Sequence, residues 1–312
     1  MSSTATTSTT HDFQDGAGPV PAARHRNPDG TPGGFVAATA AAAPTAFVGE
    51  NAEVSGAARV AGDAWVGDNA RVSGTAVVDG HARVSGDAQV RGTAEVFGAA
   101  RVGGNAQVFG RARVFESARV SGHARVRGDA RVLGTAEVFG TAEVRDTAWV
   151  FDNAWVSGRA VVSGDARVRG NAVVWGDAWV SGDARVSGTA RVFESARVSG
   201  DARVAGNARV AGTAEVSGHA RVAGGEVRGG DLFHAVLPDG LAVTLTTTHL
   251  AVGCQCLPLK TWAKTWKDVA KEHGFSASEV RIVRAAVCVG VKALNLQWMP
   301  PKKQAKKKKE TA

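Results

Sequence analysis

The sequence lacks several features of an average globular or secreted protein. It has no tyrosine, and no lysine precedes Lys260, so the residues before and after that point form two compositional regimes with a boundary near it. The three cysteines, Cys254, Cys256 and Cys288, are an odd number, which favours a reducing compartment over a disulfide framework. The N-terminus has no apolar run that could serve as a signal peptide, and no segment is long enough to span a bilayer. We therefore expect a cytoplasmic protein without membrane contact.

The net charge of +8 is concentrated at the C-terminus. Much of it comes from a run of lysines that faces only Glu310: Lys302, Lys303, Lys306, Lys307, Lys308 and Lys309. The rest of the chain is nearly balanced, which is unlike the usual footprint of a nucleic-acid-binding protein. The tail is predicted to be a disordered, solubilising end over residues 299–312, and six lysines could hold nucleic acid weakly.

The sequence is dominated by a repeat of six residues that runs without insertion from Ala46 to Gly225. Each unit begins with Ala and carries Val at its third place. The fifth place is usually Gly, and an acidic residue replaces it in a few units: Glu50, Asp68, Glu116, Asp146, Asp152 and Glu194. A fixed period of six predicts a parallel β-helix.

The repeat also predicts how each unit is oriented. Ala and Val lie two residues apart, so they point to one side of a short strand while the residues between them point outward. Gly and the polar residue after it supply a corner. Three units then close one triangular coil, and about ten coils stacked at about 4.8 Å form a prism roughly 50 Å long.

This pattern resembles the hexapeptide-repeat, left-handed β-helix superfamily, which includes acyltransferases and γ-class carbonic anhydrases. The resemblance implies an all-β fold, a left-handed three-sided solenoid over residues 34–225, and often a homotrimer. The segment GGFVAATAAAAPT, with Val36 in phase, is interpreted as two degenerate units at the N-terminal end. Residues 1–33 are predicted to be a disordered tail, and the phase breaks after Gly225.

Residues eighteen apart are expected to lie above one another, so the outward positions sort into columns. One face combines an arginine ladder with an apolar strip, and it is the predicted interaction surface: Phe97, Phe115, Leu133, Phe151, Trp149, Arg113, Arg131, Arg167, Arg185, Arg203 and Arg221. Aromatic residues and arginine are enriched in protein contacts, which favours a second copy or another protein as the partner.

The other two faces differ from this one. The second carries Phe139, Trp155, Trp175 and Phe193, and the third is predicted to be plain, with serines aligned from Ser163 onward. The ladder could also bind a polyanion, although corner carboxylates are expected to neutralise much of it: Asp129, Asp165, Asp183 and Asp201.

Nothing in the repeats indicates catalysis. Hexapeptide acyltransferases use an interface histidine together with loops that leave the helix, and no loop leaves it here. His81, His123 and His219 all occupy corner positions, and their separations place them on three different corners, so they cannot converge on one metal. No catalytic residue, cofactor or metal is predicted, and an acyltransferase is the weaker alternative.

The residues from 226 to 298 are predicted to form a small α+β module that covers the C-terminal end of the solenoid. Two alternating strands surround a Pro-Asp-Gly turn, a Trp-bearing helix ends at Gly274, and the sequence SASE starts a second helix. His249, Cys254 and Cys256 are possible metal ligands, although a buried histidine and buried cysteines explain them more simply.

The run TLTTTHLAVGCQ, with the helix after it, resembles the terminal module of hexapeptide-repeat proteins of bacteriophages and prophages. This resemblance implies a structural protein that could be part of a phage particle, and it assigns no catalytic residue. The sequence therefore favours a non-enzymatic structural or interaction protein built on a rigid scaffold. The acyltransferase and a polyanion-binding module remain the alternatives.

Overall fold

The computed structural model describes residues 9–229, 232–236, 242–246, 249–252, 255–272 and 274–296. Most of this chain forms a parallel β-solenoid in which three long sheets share one interior. We call the sheets A, B and C. Sheets B and C each contain 11 strands, which corresponds to 11 coils, one more than the repeats from Ala46 onward supply.

The strands are two residues long through almost the whole solenoid. Sheet A consists of Thr9–His11, Val20–Arg26, Pro32–Ala37, Glu53–Val54, Arg71–Val72, Gln89–Val90, Gln107–Val108, Arg125–Val126, Glu143–Val144, Val161–Val162, Trp179–Val180, Arg197–Val198 and Glu215–Val216. Sheet B consists of Ala41–Ala42, Arg59–Val60, Val77–Val78, Glu95–Val96, Arg113–Val114, Arg131–Val132, Trp149–Val150, Arg167–Val168, Arg185–Val186, Arg203–Val204 and Arg221–Val222. Sheet C consists of Phe47–Val48, Trp65–Val66, Arg83–Val84, Arg101–Val102, Arg119–Val120, Glu137–Val138, Trp155–Val156, Val173–Val174, Arg191–Val192, Arg209–Ala211 and Glu226–Arg228.

The interior is made from the two apolar places of each repeat. Val132 pairs with Val114 and Val150 in the coils on either side, and all three are fully buried. The first alanine of each unit, such as Ala130, is buried as well. This confirms the predicted three-sided solenoid, whereas its left-handedness stays a prediction.

The corners need a left-handed backbone, which explains the residue at the fifth place. Gly134 has φ +72°, and a Cβ added there would lie 2.8 Å from the backbone nitrogen of Asp152 in the next coil. Glycine avoids both problems because it has no Cβ.

The N-terminal end differs from the sequence prediction. The predicted disordered tail over residues 1–33 is wrong from Thr9 onward, since Thr9–His11 and Val20–Arg26 add antiparallel strands to the edge of sheet A. Two residues at the end of this segment also satisfy backbone groups at the edge of sheet C. The His25 ring donates to the carbonyl of Ala46 at 2.9 Å, and the Asn27 side chain accepts from the amide of Val48 at 2.8 Å. An uncovered edge would leave such groups unpaired. Residues 1–8 lie outside the described chain.

The solenoid also continues past its predicted end at Gly225. Glu226–Arg228 pairs with Arg209–Ala211, but Val227 faces Val210, a step of seventeen residues instead of eighteen. One corner is thus a residue shorter, which is why the repeat loses its phase there while Val227 stays fully buried.

The C-terminal module contains a four-stranded antiparallel sheet and two helices. The sheet consists of Leu232–Val236, Ala242–Thr246, His249–Val252 and Gln255–Pro258, so it has two strands more than the predicted hairpin. Helix α1 spans Leu259–Glu272 and helix α2 spans Ala277–Ala293. The predicted capping box is present, with Ser276 as N-cap and Glu279 as its partner.

The module lies against the last coil of the solenoid. Leu232 packs on the solenoid interior, and the backbone amide of Arg221 donates to the Thr244 hydroxyl at 3.2 Å. The module has its own core, in which Leu245, Leu250 and Trp262 are buried. Among the helices that the structure describes, none is long and apolar enough to cross a membrane. The predicted Lys-rich tail lies outside the described residues.

Candidate interaction surface

The outward surface of sheet B, which we call face B, carries the predicted interaction residues. Strand registers place Arg113 beside Arg131, Arg131 beside Trp149, and Trp149 beside Arg167. The column then continues through three further arginines: Arg185, Arg203 and Arg221. The predicted ladder is therefore one continuous column, as the eighteen-residue period requires.

The apolar strip lies one residue outside each strand of face B. Phe97 and Phe115 stack with ring centroids 4.9 Å apart and planes 4° from parallel. Phe97 is 36% exposed, and Phe115, Leu133 and Phe151 are half-buried. Four successive coils thus present apolar side chains in one line.

Trp149 connects the strip to the ladder. The guanidinium carbons of Arg131 and Arg167 lie 4.6 Å and 5.8 Å from the centroid of its ring. Because these arginines come from the coils before and after Trp149, they cover opposite sides of the indole. Phe151 meets its edge with centroids 6.3 Å apart and planes at 77°. The cluster is held by cation–π and edge-to-face contacts.

The corner carboxylates that were predicted to neutralise the ladder form no direct ion pair with its described arginines. Asp129 pairs with Arg111 at 3.1 Å and Asp201 with His219 at 3.2 Å, and both of these partners are themselves corner residues. Asp165 accepts from the Thr147 hydroxyl. Asp183 has no ion pair with any described arginine of the ladder. A corner side chain reaches the same corner one coil away, at the coil spacing of about 4.8 Å, sooner than it reaches the flat of the sheet.

The ladder arginines differ in whether they have an ion-pair partner. Arg113 pairs with Glu95 at 3.0 Å. In the described part of the chain, Arg167, Arg185 and Arg203 form no ion pair and are exposed. Their positions in consecutive coils concentrate positive charge along one line.

The acidic residues that replace glycine at the fifth place have a structural task. Asp152 has φ +59°, and its carboxylate accepts from the amide of Gly170, the same corner of the next coil, at 3.0 Å. Each of the others with a left-handed backbone makes the equivalent bond: Asp68 to Gly86, Glu116 to Gly134, Asp146 to Gly164 and Glu194 to Gly212. The carboxylate satisfies an amide that would otherwise lack a protein partner, so these acids are built into the corner.

The surface of sheet C, face C, carries the second predicted aromatic group. Phe139 and Trp155 meet edge to face at 6.2 Å, and Trp175 and Phe193 stack at 4.3 Å. A further aromatic pair on this face was not predicted: the rings of Phe47 and Trp65 are stacked, with their centroids 5.7 Å apart. Their separation of eighteen residues is the signal that would have found them.

Sheet A is less plain than predicted. Ser163 belongs to the predicted serine column, and the Trp179 indole nitrogen donates to its hydroxyl at 3.3 Å. Trp179 is 42% exposed. The prediction of a plain face rested on the serine column and did not include the neighbouring outward column, which holds Trp179.

The three repeat histidines lie on three different corners, as predicted. His81 follows a strand of sheet B, His123 a strand of sheet C, and His219 a strand of sheet A. His81 lies 3.6 Å from Asp63, an exposed ion pair within one corner. Within the described ranges, no three histidine, cysteine or acidic residues are grouped so that they could hold a metal ion.

The remaining candidates lie at the junction of solenoid and C-terminal module. Burial lowers the pKa of His249. It raises the pKa of the Cys256 thiol, against a hydrogen bond from the backbone of Ala223. Cys256 is a free cysteine, and Cys254 lies outside the described residues. The raised pKa of Cys256 does not favour a metal-ligating thiolate there.

The fold and these surfaces define the class of protein: a parallel β-solenoid with a small C-terminal helix and sheet module. Comparison with known families adds a more specific likeness. Two stretches of the chain, residues 106–121 and 196–212, match the family model described as the YdcK beta solenoid repeat. Each stretch covers about one coil. No curated protein matches the chain.

Proposed function

We propose that this protein is a non-enzymatic scaffold that holds a protein partner on face B. The main support is the apolar strip on this face, which consists of Phe97, Phe115, Leu133 and Phe151. Beside the strip lies Trp149, which makes cation–π contacts with two arginines. Contiguous exposed apolar side chains on a monomer mark contact sites, and aromatic residues and arginine dominate the energy of such contacts.

The rigidity of the solenoid supports this proposal. The backbone of each strand on face B is bonded to the coils on both sides: the amide of Trp149 donates to Ala166 at 2.9 Å, and that of Arg131 donates to Ala148 at 2.9 Å. The interaction residues therefore stand on a lattice that does not have to be ordered when a partner binds. Preorganisation of this kind lowers the entropic cost of association.

The proposed partner is a second and third copy of the chain, in a homotrimer. The support is the likeness of the repeat to hexapeptide proteins, for which trimers are typical. A role as a phage-related structural component belongs to the same proposal and follows from the resemblance of the C-terminal module. Another protein bound to the same strip is the competing occupant.

Light scattering of a strip variant tests this proposal. Replacing Phe115→Ser and Phe151→Ser should reduce the oligomer mass while the β-rich circular dichroism spectrum is kept. The matched control replaces two aromatic residues of sheet A, Phe109→Ser and Trp179→Ser, and should leave the mass unchanged. An unchanged mass together with unchanged capture of a partner by the strip variant would contradict the proposal.

An acyltransferase remains the enzymatic alternative, and it differs in one observable. A donor that binds only the folded protein raises its melting temperature through linkage. We expect no rise with acyl-coenzyme A, and no change in melting when His81, His123 and His219 are replaced together by Asn. A rise with the donor that the triple variant abolishes would favour the enzyme.

A further inference from the structure

Face C differs from face B in the order of its outward residues. Along the face, groups of arginines and groups of aromatic side chains follow one another, with two acidic residues and a valine among them: Phe47, Trp65, Arg83, Arg101, Arg119, Glu137, Phe139, Trp155, Val173, Trp175, Arg191, Phe193, Arg209, Glu226 and Arg228. Arg209 and Arg228 both lie over the Phe193 ring, 5.4 Å and 5.9 Å from its centroid. Basic and flat apolar groups thus share one surface along most of the solenoid.

A groove occupies the N-terminal half of this face. It has a volume of about 800 Å³, and its lining includes Trp65, Arg83, Arg101 and Arg119 together with one acidic residue, Asp68. Its floor consists of small residues, with Ser85, Gly103 and Ser121 in the second outward column. The small floor lets a ligand approach the backbone closely beside Trp65, and Trp155 lies further along the same face, two coils beyond Arg119.

The three arginines of the groove differ in their ion pairing. Arg119 pairs with Glu137 at 3.1 Å. Arg83 and Arg101 form no ion pair with any residue the structure describes, and both are exposed.

The carboxylates at the adjoining corners are engaged elsewhere. Asp68 accepts from the amide of Gly86 at 2.8 Å, and Asp87 accepts from the Asn69 side chain at 3.0 Å. Asp63 lies beside His81 at 3.6 Å. None of these three carboxylates forms an ion pair with Arg83 or Arg101.

Trp155 on face C is open in a way that Trp149 on face B is not. Trp155 is 48% exposed. Its one ring contact among the described residues is the edge-to-face approach of Phe139, and no described guanidinium lies over its indole. A planar group can therefore stack on Trp155, whereas guanidinium groups cover both sides of Trp149.

We propose that face C binds single-stranded nucleic acid, with its arginines along the phosphate backbone and Trp155 and Trp65 as platforms for bases. Proteins that bind single strands combine a positively charged groove with exposed aromatic side chains, and they tolerate many sequences because every base has a flat face. A duplex keeps its bases stacked inside, so it could use the arginines but not the indoles. An acidic peptide without aromatic residues, such as polyglutamate, has no ring to stack on Trp155.

Fluorescence anisotropy with a labelled oligothymidine of about twelve nucleotides, within the site sizes of about 4–16 nucleotides known for single-strand binders, tests this proposal. Trp155→Ser should weaken binding about 5- to 150-fold, the range for loss of one stacked base. Trp155→Phe should restore most of the affinity, because phenylalanine keeps a flat ring. Circular dichroism shows whether each variant is folded.

The charge contribution has its own readout. The slope of log affinity against log salt is negative, and Arg83→Gln with Arg101→Gln should make it shallower by about 1.4, since each phosphate contact on a single strand contributes about 0.7 to its magnitude. The matched control on face B, Arg167→Gln with Arg185→Gln, should leave the slope nearly unchanged. All proteins keep the Lys-rich tail, and a further variant with those six lysines changed to Gln separates its contribution.

Certain outcomes would overturn the proposal. One is binding that the tail variant abolishes and the face C variants do not change. Another is equal affinity for the oligonucleotide, a duplex of equal length and polyglutamate, combined with no effect of Trp155→Ser. Either would show that no base stacks on face C. Because oligomer mass is measured separately, failure here leaves the proposal for face B standing.

Discussion

Face B and face C are built on the same backbone and the same valine and alanine interior, yet they present different chemistry. On face B the aromatic residues are consecutive and guanidinium groups cover Trp149. On face C groups of aromatic and basic residues follow one another and Trp155 stays open. The fold fixes where each outward side chain lies, whereas the identity of the side chain decides what the face can bind.

The corners separate these two surfaces electrostatically. Acidic residues are concentrated at the corners, where Asp152 bonds a backbone amide and Asp177 pairs with Arg159. The arginines of the flats are largely left unpaired within the described chain. A solenoid of modest net charge can therefore carry two basic surfaces.

Deletions within the solenoid give the largest expected effect, because they change which residues share a face. Removing Ala166–Val168 should cause misfolding, since it exchanges inward and outward positions. Removing Ala166–Asn171 should leave the core in register but rotate everything downstream by one face, so that Arg185 leaves face B. Removing Ala166–Asp183 should delete one coil and leave every column in place.

Soluble yield, thermal melting and oligomer mass distinguish the three deletions. We expect aggregation from the first, a folded protein with altered assembly from the second, and a near-native protein from the third. Equal misfolding of the three-residue and six-residue deletions would contradict the three-sided coil as the unit of the fold.

A smaller effect is expected at the corners, where it tests whether the acids are structural. Asp152→Ala should destabilise the protein by about 2 kcal/mol, because it removes the bond to the Gly170 amide and leaves a Cβ in left-handed backbone. Asp152→Gly removes the same bond but relieves the backbone, so it should cost less than about 1 kcal/mol. Urea denaturation measures both.

The matched control is Asp165→Ala, since Asp165 does not itself have a left-handed backbone and bonds only the Thr147 hydroxyl among the described residues. Its effect should stay within about 0.5 kcal/mol. If Asp152→Gly were more destabilising than Asp152→Ala, the strain argument would fail.

The smallest effect concerns the charge of one corner. The hydrogen bond from Arg159, at 2.6 Å, holds the pKa of Asp177 below its ordinary value. Because the folded-state pKa is depressed, the contribution of the pair is present above the unfolded pKa and lost as pH falls through the folded one. The pair is exposed, so no change in melting is expected.

Carboxyl NMR titration checks this assignment. Arg159→Gln should raise the midpoint of Asp177, and Arg131→Gln, which changes an arginine of the flat, should not. A midpoint that responds to both substitutions would indicate that corner carboxylates also neutralise the flats.

The sequence predicted the solenoid and its columns because a period of eighteen residues leaves no freedom of register. Once Val132 is assigned to the interior, Arg131 and Leu133 must point outward. The N-terminal antiparallel strands were missed because they lack the six-residue pattern. The sequence Asn27-Pro28-Asp29-Gly30 nevertheless signals the turn between Val20–Arg26 and Pro32–Ala37, in which the amide of Gly30 donates to the carbonyl of Asn27. The pairing of corner carboxylates could not be read from columns, since it depends on how far a side chain reaches across a corner.

The proposed division of binding between two faces of one rigid lattice is tested most directly by one pair of variants. The face B variant is Phe115→Ser with Phe151→Ser, and the face C variant is Arg83→Gln with Arg101→Gln. Oligomer mass and oligothymidine affinity are measured on both. We expect the first to lose mass and keep affinity, and the second to lose affinity and keep mass. Loss of both properties in either folded variant, or of neither in both, would contradict the division.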